Sequence, residues 1–376
     1  MPTDVPSLSR RMEIEMTEAS IGDAEVPWEY GGFEAEYEAL RQSAGVIDLS
    51  AAGLVEVTGP GASALVQRLF ARDVTYLYHE SSVMGLFLDE SGRIVDLATV
   101  YRVDEGYWIE TAIGNGSRLG EHLARHAGPD ASVRDLRGEQ AVVVVEGPEA
   151  RHAIDRIVTE PVSKLPFKGV RASRLESGEP AMITRTGFTG EFGFKVLCRH
   201  EQAVEVWERL CKFGTPAGHR ALEVAMCEVR QPLLHRELVD DPTVATAGFN
   251  WLIDADKTDY LGRAAVVHEF ENPPDRLTVC VVTDAGDVDP GTPLVTADGR
   301  DVGETVFGCW SPGVARTCGI ARVEREIAVA GLTLGLATAD GVVPIETVSS
   351  PMNVPKSWGL SAQEVGAQEV TDAQPE

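Results

Sequence analysis

RTGFTGEFGFKV, residues 185–196, sets two Thr-Gly pairs and a single carboxylate, Glu191, directly ahead of an alternating apolar run. Glycines there let backbone approach another group closely, and a lone acid between turn and strand is costly unless it has a partner. The stretch reads as a turn feeding a strand. Working outward, GLVEVTG (53–59), SSVMGLFLD (81–89), IVDLATVYRV (94–103), YWIETAI (107–113) and AVVVVEG (141–147) are strand-like. GFEAEYEALRQSAG (32–45), GASALVQRLFARDV (61–74), SRLGEHLARHA (117–127) and EQAVEVWERLCKFG (201–214) are helix-like. Strands interspersed with helices, without a regular β-α-β wind, argue for the α+β class.

From about residue 276 the pattern changes to short strands with frequent turns, DPGT and DGRD among them, which predicts a separate C-terminal β barrel over 276–360. Residues 25–275 then form a body of two α+β lobes. Residues 1–24 and the acidic 361–376 are polar without periodicity and read as disordered ends.

The chain has 376 residues, enough for two or three packed units with a sizeable core. Against 33 basic residues stand 59 acidic ones, a net charge of −26 that repels nucleic acid and anionic membrane surfaces. No run approaches the ~18 apolar residues of a membrane span and no secretory signal is visible, so the expected location is cytoplasmic. Six cysteines without a C-x-x-C pair fit buried, reduced thiols.

Several chemistries find no support. GPGASA (59–64) lacks the third glycine of a dinucleotide loop, and there is no phosphate loop, zinc-protease helix or serine-hydrolase elbow. His235 and Glu237 in LLHREL (233–238) are two candidate ligands without a third, so no metal is expected.

Five segments in order resemble the aminomethyltransferase (glycine-cleavage T-protein) superfamily of tetrahydrofolate-dependent one-carbon transferases. PWEYGGFEAEYEALRQSAGVIDLS (27–50) is similar to that family's entry motif, GRIVDL (92–97) to its G-G-x-x-D-D, and RTGFTGEFGF (185–194) to its R-T-G-Y-T-G-E-x-G-F. DKTDYLGRAAV (256–266) resembles K-x-D-F-I-G-R, and FGCWSPGV (307–314) the late S-P-T motif.

The resemblance implies tetrahydrofolate as cofactor and gives Glu191 an occupation. A pterin offers two parallel donors, N3–H and the 2-amino group, which one carboxylate accepts with charge assistance. By resemblance Asp96 lies near folate N5 as the catalytic proton carrier, with Leu97 replacing the family's second aspartate. Tyr30 either lines the folate pocket or packs in the core beside Trp28. Phe188 replaces the usual tyrosine of the folate-binding turn. Arg220 binds the folate glutamyl tail or a substrate carboxylate, or else forms a helix-surface ion pair. Trp310 walls the ligand cavity or fills a barrel-to-body interface, and Met226 stands where the family helix carries its second arginine.

Three functions are compatible with these residues. The one favoured by the departures at Met226 and at Ala112–Ile113 is transfer of a methyl or related one-carbon group from an O-, N- or S-methylated small molecule to N5 of tetrahydrofolate. Aminomethyl transfer in a glycine-cleavage system is the alternative; its lipoyl carrier protein, typically acidic, is an unlikely partner for a chain at −26. A non-catalytic folate-binding maintenance protein is the third reading, and DKTDYLGRAAV lacks the K-G-C-Y-x-G-Q-E motif of that branch.

Overall fold

The computed structural model describes residues 7–50 and 52–358. It is an α+β protein: a five-stranded sheet, a six-stranded sheet, a two-stranded ribbon and a closed six-stranded barrel. The six-stranded sheet is built around Gln140–Glu146, which runs antiparallel between Gly193–Arg199 and Gly45–Asp48. Its valine run is buried on both faces. Val143 and Val145 join a core with Ile154 and Trp207, whereas Val142 and Val144 face a second core with Leu222 and Ala225. That explains a continuous apolar run in place of alternation.

The five-stranded sheet centres on Gly106–Ile113, paired antiparallel with Ile94–Val103 on one side and Ala52–Thr58 on the other. Helices Ala62–Leu69 and Gly116–His126 cover one face through Leu65, Leu69, Leu119 and Leu123. The opposite face looks toward helix His219–Glu228 and the Phe188 turn. A cavity forms there.

The closed barrel runs from strand Arg276–Thr283 to strand Gly341–Val348. It is fastened to the body at Glu228, which is fully buried and accepts from Ser311 Oγ (2.5 Å), Tyr37 Oη (2.5 Å) and Asn353 Nδ2 (3.0 Å).

The N-terminal segment departs from the disorder expected of residues 1–24. Leu8 and Ser9 are fully buried, and strand Thr17–Ile21 pairs antiparallel with Ala24–Glu29. Polar side chains such as Thr17, Glu18 and Ser20 line the outer edge of this ribbon, which masks its strand character in the sequence. Residues 1–6 and the acidic tail 361–376 lie outside the described residues. Among the described residues no helix is long and apolar enough to cross a membrane.

Candidate functional site

Three elements bound the central cavity, which has a volume of about 70 Å³. The five-stranded sheet supplies Met84, Leu97, Thr99, Glu110, Thr111 and Ala112. Helix His219–Glu228 presents His219, Leu222, Glu223 and Met226, the i, i+3, i+4, i+7 stripe of one helical face. The segment after that helix adds Gln231, Leu233, Leu234 and His235, and Phe188 closes the side toward the glycine turn. The walls are largely apolar, with a few convergent polar groups, as small-molecule sites usually are.

Two ion pairs stand among these groups. Glu110 is ion-paired with the buried Lys195 ammonium, and its Oε2 accepts from Tyr101 Oη at 2.9 Å. Each oxygen therefore keeps lone-pair capacity for a ligand donor. Glu223 accepts from His235 Nε2 at 2.6 Å through one oxygen and from Arg236 Nη2 at 3.1 Å through the other. His219 donates Nε2–H to the Asp48 carbonyl at 3.1 Å, and burial lowers its pKa, so it is a neutral imidazole.

Asp96 occupies a special place at the wall. Oδ1 accepts from the Leu97 N–H at 2.9 Å and the Ala112 N–H at 3.4 Å, whereas the buried Oδ2 has no partner among the described residues. Leu97 and Ala112 both line the cavity, and Asp96 itself does not. The carboxyl thus lies one backbone unit behind the surface a ligand would touch. Burial pushes its pKa up to about 8, so both protonation states are populated near neutral pH. Because Oδ1 takes two N–H donors, the proton of the neutral form belongs on Oδ2.

Glu191 is engaged differently from the expectation of a pterin partner. Its oxygens accept two parallel backbone donors of the chain itself, Lys356 N–H and Ser357 N–H, each at 2.8 Å, and Oε2 also takes Ser357 Oγ at 2.5 Å. The bidentate chemistry inferred for the residue is present, but a turn after the last barrel strand supplies the donors. Glycine serves the approach: Gly190 has φ +78°, and a Cβ on Gly193 would lie 2.6 Å from Gly187 Cα. Fully buried Glu146 pins the turn from behind, accepting from the Phe188 N–H (2.9 Å) and from Thr189 N–H (2.9 Å) and Oγ1 (2.6 Å).

Replacing Glu191 by glutamine sets an amide donor against these N–H groups. The expected loss is about 1–3 kcal/mol of stability, with faster proteolytic cleavage near 355–358. Limited proteolysis showing the same cleavage rate as the parent would mean that the clamp does not hold the segment.

Beyond this clamp lies a second cavity of about 460 Å³, lined by Phe167, Arg185, Glu191, Ser357 and Trp358 among others; it shares Phe188 and Gln231 with the first. Phe188 is thus the one sequence-derived residue common to both spaces, and Lys195 Nζ sits 4.1 Å from its ring centre. The remaining three are elsewhere. Tyr30 packs against Trp207 with ring centres 5.7 Å apart and bonds Ser9 Oγ, in the core on the far face of the central sheet. Arg220 pairs with Glu29 at 2.7 Å on the surface, since its helix turns Leu222 and Glu223 inward instead. Trp310 is 47 % exposed on the barrel strand Asp301–Ser311 and lines neither cavity.

Sequence reasoning missed Glu110, His219, Glu223 and the His235 dyad. Two signals were available: a charge inside the apolar strand YWIETAI, and the helical spacing of His219, Glu223 and Met226 in GHRALEVAMCEVR.

Comparison with known proteins converges on one family. The family model described as GCVT N-terminal domain matches residues 13–257, and that described as glycine cleavage T-protein C-terminal barrel domain matches residues 276–353. An aminomethyltransferase of Bacillus cereus (strain AH187) is 29% identical over 338 residues, covering 88% of this chain and 92% of the relative. One from Bacillus cytotoxicus is 30% identical over 315 residues, covering 82% and 86%. The crystal structure of the glycine cleavage system aminomethyltransferase T from Bartonella henselae superposes with a TM-score of 0.84 at 20% identity, over 92% of this chain and 97% of that one, and so shares its fold.

Proposed function

For a chain that belongs to the glycine-cleavage T-protein family, a family of tetrahydrofolate-dependent transferases, we propose that the central cavity moves a methyl or related one-carbon group from a small O-, N- or S-methylated donor to N5 of tetrahydrofolate. The observation that carries this reading is the cavity itself. It brings the strand bearing Asp96 and the turn bearing Phe188 around one largely apolar space.

The residues present fit a folate. Glu110 keeps acceptor capacity for the pterin donors that the sequence assigns to Glu191, and the adjoining cavity offers Phe167, Trp358 and Arg185 for an aromatic tail ending in carboxylates. Asp96 Oδ2 is the orphaned buried polar atom expected where proton exchange is to occur.

Tetrahydrofolate supplies the nucleophilic N5 amine. In methyl transfer the N5–C bond forms from that lone pair, the bond from carbon to the donor heteroatom breaks with its electrons left on the heteroatom, and one proton passes from the amine to the heteroatom. Asp96 lies behind the cavity wall, so it takes the amine proton through one intervening water and not by contact with N5. Leu97 and Ala112 hold Oδ1 through their N–H groups and leave Oδ2 to exchange it.

Aminomethyl transfer from a lipoyl carrier protein is the second reading, favoured by the names of the relatives. Against it stand the net charge of −26 and a wall of Leu97, Leu222 and Met226. One pair of assays separates the two. Methylated small molecules plus tetrahydrofolate should yield methyl-tetrahydrofolate by mass spectrometry, whereas aminomethylated lipoyl carrier plus tetrahydrofolate should release little ammonia. Ammonia release at the rate of an authentic aminomethyltransferase reverses the order, and failure to bind tetrahydrofolate in calorimetry removes both readings.

A further inference from the structure

We infer that His235 protonates the leaving heteroatom of the one-carbon donor and that this donor is an uncharged methylated molecule. The inference rests on the methyl-transfer reading above. When the methyl carbon of an ether is taken by an amine, the oxygen keeps the bonding pair and departs as a basic alkoxide or phenoxide, which must be protonated. A positioned acid lowers that barrier substantially. A quaternary ammonium or a sulfonium leaves as a neutral amine or sulfide and needs no proton.

The cavity is built for the first case. A site for a cationic donor would offer a free carboxylate or an open aromatic face. Here Glu110 is neutralised by Lys195, Glu223 by His235 and Arg236, and the Phe188 ring already carries the Lys195 ammonium. Among the described residues no uncompensated negative charge lines the space.

His235 is the imidazole suited to the task. Glu223 fixes its Nε2 at 2.6 Å, which orients the ring and stabilises the imidazolium, and Nδ1 has no protein partner among the described residues. The same residue also lines an outer groove of about 150 Å³ beside Asp240, Glu304 and Arg322, so the ring borders both the cavity and a space open to solvent protons. Those three groups, with Glu223, Arg236 and His219, are the charged and titratable groups packed around it. His219 cannot substitute, because burial keeps it neutral and its N–H is spent on the Asp48 carbonyl.

The overall step balances. The amine proton passes through a water to the Asp96 carboxylate and is then released to solvent, the imidazolium gives one proton to the departing oxygen, and solvent returns one proton to His235; methyl ether and tetrahydrofolate become alcohol and methyl-tetrahydrofolate.

The test uses the full chain with tetrahydrofolate and four probes: anisole and 2-methoxyethanol as uncharged ethers, glycine betaine and trimethylsulfonium as cations. Expected is methyl-tetrahydrofolate from an ether only, and a roughly 10²–10⁴-fold lower kcat in His235→Asn with tetrahydrofolate affinity unchanged. Transfer from the cations only, or an unchanged kcat in His235→Asn, overturns the assignment. Whatever the turnover, phenol added to the parent chain should move the His235 ring nitrogen resonances in ¹⁵N NMR, and resonances that stay put overturn it as well. Loss of tetrahydrofolate binding by the parent chain would instead sink the transferase reading and leave a phenol-responsive His235 standing.

Discussion

Arg41→Ala is expected to lower folding stability by about 3–5 kcal/mol, the usual cost of deleting one partner of a buried ion pair. Arg41 is 4 % exposed and its guanidinium is used on every edge. Nε and Nη2 meet Glu228 Oε2 at 2.9 and 2.6 Å, Nη2 reaches the Ala225 carbonyl at 2.8 Å, and Nη1 the Thr189 carbonyl at 2.7 Å. Glu191 lies 3.8 Å away. Deletion strands the Glu228 carboxylate in the interior and removes the nearest cation from Glu191. It also loosens three elements together, namely helix Phe33–Gln42, helix His219–Glu228 and the glycine turn, and through Glu228 the barrel. Lysine should recover only part of the loss, since a single ammonium cannot meet acceptors in so many directions. Urea unfolding measures the effect; a change below about 1 kcal/mol, the scale of an exposed ion pair, would show that the network is replaceable.

Asp96→Asn is expected to lower turnover by roughly 10²–10⁴ while the fold and most folate affinity remain, because the carboxyl exchanges a proton and does not line the cavity. A second, independent signature comes from stability. The folded pKa of about 8 lies above the ordinary carboxylate value of 3.8, so the native state holds its proton over a pH range in which the unfolded chain has lost it. Native stability therefore falls as pH rises from about 4 to about 8 and levels off above that window. Asparagine cannot ionise and should flatten this slope. Parallel slopes in parent and variant would mean that Asp96 is ionised throughout, and unchanged turnover with an identified donor would assign the proton relay to another group.

Legibility varied along the chain for physical reasons. Period-2 runs such as IVDLATVYRV and the barrel turns after residue 276 are local signals, and each corresponds to a strand or turn in the structure. Alternation also dictates that Asp96 and Leu97 point to opposite faces, but nothing local says which face borders a cavity. The structure gives that face to Leu97. Helical spacing ties His219, Leu222, Glu223 and Met226 to one stripe, which turns Arg220 outward to Glu29.

By itself the sequence determined the α+β class, the separate barrel, the family motifs and the kind of chemistry each polar side chain offers, because propensity, periodicity and functional groups belong to residues and their near neighbours. Only the tertiary structure decided the partners. Glu191 accepts two parallel N–H donors, as its chemistry requires, yet they come from Lys356 and Ser357, 165 and 166 positions away. Likewise Glu110 finds Lys195, and Glu223 finds His235, each on a different segment of the chain. A buried charge must be compensated by whatever the packed chain brings within a few ångströms, and which group that is depends on how distant segments are stacked.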